Sequence, residues 1–308
     1  MNKQTHYREA LRDLPPPGSG YHGALMSAAN YAASAGISPD QAVDDIRRHT
    51  KPGSRRLTPH EIETAVSKAY RDIGSGYTPR PRPAPPVKDM TTARQKIIRR
   101  GGIKTEADLW EASPLRLWED PERDPVLFLE SLYSPKDHLF IGDRYDGKTV
   151  KPVSQWIEYF NQGGKPEPHY CINPLTGQPT QTDDKETWRG DANVKDFRYI
   201  LVEFDNIPKE DQIAFWSGSE LPVCCLIDSA GKSIHGLLDA SRMAKVETLD
   251  QWRSEIKGRL FDDLLTPLGC DGASSNPARL SRMPGHNREG KGIQRILWLA
   301  GREGRPVL

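Results

Sequence analysis

The chain holds only four cysteines, Cys171, Cys224, Cys225 and Cys270, and no CxxC pair among them. Cys224 and Cys225 are adjacent in an apolar run, where successive strand side chains point to opposite faces, a poor geometry for a shared metal or a disulfide. Small buried thiols are expected, and no zinc; a site built on His169 and Cys171 of "PHYC" would need distant partners. Long apolar runs are missing too. None approaches the roughly 20 residues of a membrane span, and the opening "MNKQTHYREALRDL" has no apolar signal core. A cytoplasmic protein without membrane contact is expected. No strand precedes "GSGYHG", Gly18 to Gly23, because "LPPP" stands there, which removes a dinucleotide-binding turn. No two histidines sit one residue apart around an apolar position, so a histidine-cluster endonuclease that joins DNA through tyrosine has no support.

What is present fits a polar globular protein of about two domains, with 308 residues, 36% of them hydrophobic and 28% charged. The net charge of +1 conceals an asymmetry: residues 1 to 100 carry +8 and the remainder −7, while the last 38 residues alone carry +4. Basic ends around an acidic middle suit a polyanion held beside a carboxylate site.

Residues 1–75 read as a small helical domain. "SPDQAVDDIRRH" and "TPHEIETAVSKAYRDI" each place a hydroxyl cap before proline, with Gln41 or Glu61 three residues after the cap. "GALMSAANYAASAG" is an alanine-rich helix stopped by Gly36. Residues 76–104 join a proline-rich linker, "GSGYTPRPRPAPPVKD" from Gly74, to a basic helix candidate, "TTARQKIIRRGG". Residues 105–308 mix strands and helices, with strands expected at 138–142, 169–173, 199–205, 222–228, 233–239 and 294–300. In "TLDQWRSEIKGRLFDDLLTPL" apolar residues recur at Leu249, Trp252, Ile256, Leu260 and Leu264, one face of a helix. The expected class is α+β, with mixed or antiparallel sheets and flanking helices behind a small all-α domain.

Three clusters carry chemistry. "YILVEFD" interrupts an apolar strand with Glu203 and Asp205, two apart and therefore on one face, with Cα atoms roughly 6.6 Å apart. Two such carboxylates can bracket a divalent cation; two ordinary acids on a solvent edge would read the same way. "DSAGKSIHGLL" is a hairpin with Lys232, Ser233 and His235 at the start of its returning arm, donors suited to a triphosphate. "LGCDGASSNPARLSRMPGHNREGK" brings a third acid, Asp271, followed by Arg279, Arg282, Arg288 and Lys291 in a stretch rich in Gly, Pro and Asn.

In this order, the acid pair, S-x-H, third acid and R-x-P-G resemble the archaeo-eukaryotic primase (AEP) superfamily, specifically the primase-polymerases of phages, plasmids and other mobile elements. Residue by residue, Glu203 and Asp205 match the first motif, Ser233 and His235 the second, Asp271 the third, and "RMPGHNR", with Arg282 and Arg288, the segment after it. The first motif runs Glu-x-Asp where many relatives have Asp-x-Asp or Asp-x-Glu; Asp262 and Asp263 are alternatives to Asp271. The helical amino-terminal region resembles the accessory domain that often follows such primases.

The resemblance implies a DNA-templated nucleotidyltransferase that makes primers for a mobile element. Glu203, Asp205 and Asp271 would be metal ligands for two Mg²⁺ or Mn²⁺ ions, and catalytic together with His235. Lys232, Ser233, His235, Arg282 and Arg288 would bind the nucleotide. Implied partners are a single-stranded DNA template, NTP or dNTP, and a replicative helicase. Two other readings stay open: a non-catalytic replication initiator or adaptor, which would not need the acids, and a metal-dependent nuclease, which would not need the S-x-H hairpin.

Overall fold

The computed structural model describes residues 3–17, 21–53, 57–74, 90–144, 149–182 and 185–308. The chain divides into two compact units, residues 1–85 and 86–308. The proline-rich stretch at 75–89 lies outside the described residues.

The first unit is four helices: α1 (Lys3–Arg12), α2 (Tyr21–Ser34), α3 (Pro39–His49) and α4 (Pro59–Asp72). Leu25, Ala28, Ala29 and Ala32 of α2 pack against Val43 and Ile46 of α3 and Ile62, Val66 and Ala69 of α4. Alanines on α2 let its neighbours approach closely, and the unit closes its own apolar core. The two caps differ in detail. Ser38 accepts from Gln41 N, but the Gln41 amide turns to Asp45, whereas Glu61 reaches back to the Thr58 amide.

The second unit belongs to the α+β class. Its helices are α5 (Thr91–Gly101), α6 (Glu106–Glu111), α7 (Asp124–Leu132), α8 (Val153–Asn161), α9 (Lys209–Gly218) and α10 (Leu249–Gln251), which continues as a π-helix, Trp252–Leu265. Its strands are β1 (His138–Gly142), β2 (Val150–Pro152), β3 (His169–Cys171), β4 (Thr180–Thr182), β5 (Lys185–Thr187), β6 (Tyr199–Val202), β7 (Val223–Asp228), β8 (Ile234–Asp239), β9 (Leu280–Arg282), β10 (Asn287–Arg288), β11 (Gly292–Ile293) and β12 (Arg295–Leu299). Two antiparallel four-stranded sheets dominate, in orders β2-β1-β3-β9 and β12-β7-β8-β6.

Strand alternation assigns the β6 side chains to two cores. Tyr199 and Leu201 join a core with Leu139 and Ile141 of β1, Tyr170 of β3, and α7 and α8, which fills the space between the two sheets. Ile200 and Val202 face the other way, into a core with Phe215 and Trp216 of α9 and Trp252, Ile256 and Phe261 of the π-helix. Both faces of the second sheet are therefore covered, as the all-buried patterns of β6, β7 and β8 require.

Three expectations are modified. The i→i+5 bonding of the π-helix, as in Thr266 N to Phe261 O, widens each turn, so Phe261 and Leu265 join the buried face while Leu264 packs at its margin, only partly buried. A register shift between Val223 and Cys225 lets Cys224 and Cys225 share one core instead of facing apart; all four thiols are free and buried. The strand expected over 199–205 ends at Val202. Among the described residues, no helix is long and apolar enough to cross a membrane.

Candidate active site

Register explains why Glu203 and His235 meet. β6 and β8 pair Leu201 with Leu237 and Val202 with Gly236, so the next position sets Glu203 opposite His235. The His235 Nε2 donates to Glu203 Oε2 at 3.0 Å, and His235 Nδ1 lies 3.0 Å from Ser281 Oγ of β9. Ser281 comes from the other sheet and is fully buried. The chain Ser281–His235–Glu203 thus ties the two sheets together at the acid.

Glu203 lies just past the end of β6, where the Asp271 amide donates to its carbonyl at 2.9 Å. This backbone bond brings the third acid beside the first. Asp271 also caps the turn Gly272–Ser275, accepting from Ala273 N. Arg279 completes the group: its Nη2 lies 3.4 Å from Glu203 Oε1 and 3.7 Å from Asp271 Oδ2. Burial works to raise the Glu203 carboxyl, but the His235 hydrogen bond and the Arg279 guanidinium outweigh it and hold it down to about 2. Glu203 is an anion at neutral pH.

Glu203 is buried and Asp205 exposed, so the two carboxylates do not share one strand face as the spacing predicts. The alternation that would have aligned them stops at Val202. Both nevertheless line one cavity of about 1130 Å³, together with Lys232, Ser233, His235, Asp271, Arg282 and Arg288. Every site residue singled out from the sequence therefore lies on this cavity wall, whereas Asp262 and Asp263 stand exposed on the π-helix and do not line it.

The hairpin β7–β8 supplies one side. Its turn is closed by Ser229 N to Ser233 O and by Ala230 N to Asp228 Oδ1, with Ala230 at φ +49°. Lys232 is exposed at the tip and Ser233 is buried at its base. The guanidinium of Arg288 donates to the carbonyls of Ser229 and Ala230, bracing the turn from outside. Arg282 donates to His169 Nε2 at 2.8 Å, across the β3–β9 register. Burial, and next the Arg282 charge, lower His169 to about 4, so it is neutral and accepts this bond.

Several residues that support or line this site were not among those singled out. Gln212 of α9, fully buried, donates to the carbonyls of Ile207 and Lys232 and accepts from Ile234 N, locking the loop after Asp205 to the hairpin. Asn173, also fully buried, bonds the backbones of Arg198, Tyr199 and Pro277. Lys209 pairs with Asp228 at the cavity edge. Single polar residues in apolar surroundings were the only signal. Arg279 was visible as one of four cations in a basic loop, but nothing local marked it as the one that meets the acids.

Eight lysine and arginine side chains and four carboxylates line the cavity among the described residues. No three His, Cys, Asp or Glu side chains among them are gathered closely enough to hold a metal as they stand. The donor set still suits a hard divalent cation, since Glu203, Asp205 and Asp271 offer carboxylate oxygen only. The gap between Glu203 and Asp271 already accepts a positive group, the Arg279 guanidinium.

No family model matches the chain, and no curated protein matches it. Among solved structures, the AEP domain of a primase-polymerase (PrimPol) from cyanophage S-2L is similar at 18% identity and a TM-score of 0.41, the likeness covering 59% of this chain and 92% of that one.

Proposed function

We propose that the chain is a template-directed nucleotidyltransferase, a primase or primase-polymerase, acting on single-stranded DNA with nucleoside triphosphates. One observation carries this reading: a single cavity puts Glu203, Asp205 and Asp271 beside an excess of cationic side chains. Acids alone would repel a polyanion, and cations alone would only bind one. The combination suits a substrate that brings both phosphate and divalent metal.

Glu203, Asp205 and Asp271 would hold Mg²⁺ or Mn²⁺, which when bound would acidify the attacking 3′ hydroxyl and neutralise charge on the α-phosphate and the departing pyrophosphate. His235 keeps Glu203 oriented, and Ser281 fixes the His235 ring. Lys232 and Ser233, at the tip and base of the hairpin, would receive the triphosphate. Arg282 and Arg288 would line its path, Arg288 through a guanidinium already braced on the turn carbonyls. Nothing in this chemistry calls for a Ser or Cys nucleophile. A helicase partner and service to a mobile element belong to the same proposal.

The test is de novo synthesis on single-stranded DNA with labelled nucleotides and Mg²⁺ or Mn²⁺, comparing wild type with Glu203→Ala/Asp205→Ala. Metal-dependent product from the wild type, reduced at least ~10³-fold in the variant, is expected for loss of metal and charge stabilisation. Synthesis retained by the variant sinks the assignment. Template cleavage by the wild type replaces it with a nuclease; salt-sensitive DNA binding without product replaces it with an adaptor.

A further inference from the structure

Arg279 is held loosely for a cation between two acids. Both of its contacts run through one nitrogen, at 3.4 and 3.7 Å, beyond the 2.7–2.9 Å of a strong charge-assisted bond. Its Nε is buried with no hydrogen-bond partner. A guanidinium anchored for structure alone would use its fork on one carboxylate. This one straddles Glu203 and Asp271, which reach it from segments 68 positions apart in the numbering and are joined by the Asp271 amide. It stands on the cavity wall with about a third of its side chain exposed, so it has room to leave.

We infer that Arg279 occupies the cation position between Glu203 and Asp271 and competes with the divalent metal for it. The inference rests on the reading of these acids as metal ligands. A guanidinium and a divalent cation repel at contact distance, so they cannot share the gap. The metal alone must break both Arg279 contacts, and its binding is weakened by their combined strength. Once released, the guanidinium needs another anion, which a triphosphate entering the same cavity supplies. Metal and nucleotide then favour each other through one side chain, a coupling that is reciprocal.

The experiment is a titration of the protein with Mn²⁺ alone, following free Mn²⁺ by electron paramagnetic resonance. Wild type is compared with Arg279→Met, which keeps bulk without charge, and Arg279→Lys, which keeps charge. Arg279→Met is expected to bind Mn²⁺ about 10-fold more tightly, in the range of ordinary coupling between sites, and Arg279→Lys to stay near wild type. Thermal unfolding gives a second readout: Mn²⁺ should raise the melting temperature of Arg279→Met more than that of wild type. Equal or weaker binding by Arg279→Met overturns the inference. Glu203→Gln and Asp271→Asn separate the two levels. If they abolish Mn²⁺ binding while Arg279→Met leaves it unchanged, only the role of Arg279 fails. If they leave binding intact, or if no variant binds Mn²⁺, the metal-ligand reading fails with it.

Discussion

His169 shows how one side chain translates placement into pH dependence. It accepts from Arg282, and burial followed by the Arg282 charge lowers it to about 4 from the 6.5 of a free imidazole. A depressed folded value means that the unfolded chain takes up this proton first as pH falls. The stability from neutral His169 is therefore complete above about 6.5 and is lost as pH drops toward 4. Melting temperatures of wild type and His169→Gln, measured from pH 8 to pH 4, should converge across that window. A constant gap would mean that His169 does not titrate as placed. At this scale the acids and the S-x-H pair were legible, because carboxylates and an imidazole inside apolar runs are conspicuous. Gln212 and Asn173 were not. Their role lies in the backbone groups each must find across the fold, three for Gln212 and four for Asn173, and no spacing encodes that.

Among elements, α5 and α9 meet at glycines. A Cβ on Gly218 would stand 2.2 Å from the Ile97 carbonyl oxygen, and one on Gly101 would stand 1.8 Å from that of Ala214. The obstruction is backbone, which cannot swing aside. Gly218→Ala should therefore force the helices apart at a cost of about 1–3 kcal/mol, lowering the melting temperature by several degrees. Unchanged stability would show that the crossing relaxes freely. Because α9 carries Gln212, the same crossing supports the hairpin and the loop after Asp205. The strands expected at 138–142, 222–228 and 233–239 and the helical starts with proline were readable, since period and caps are local signals. The short strands β2, β4, β5, β9, β10 and β11 were not, being two or three residues long and too brief to show a period. β9 matters most among them, because it delivers Ser281 and Arg282.

For the molecule as a whole, each unit has its own core: Leu25, Ile46 and Val66 in the first, two large cores around the sheets in the second. Residues 3–74 expressed alone should fold as a helical unit with a cooperative melt, and residues 90–308 should keep their own transition. Circular dichroism of both fragments is the check, and a coil-like spectrum for 3–74 would contradict independent folding.

The amino-acid order alone determined the α+β class, the core strands, the helical caps and the presence of acid at the end of an apolar run, because each follows from short-range period and chemistry. Only the tertiary structure decided that β6 stops at Val202, that Asp271 lies beside Glu203, and that Arg279 is the cation between them. Those contacts depend on a backbone carbonyl at a strand end and on side-chain charges finding partners from distant segments, which a local pattern does not specify.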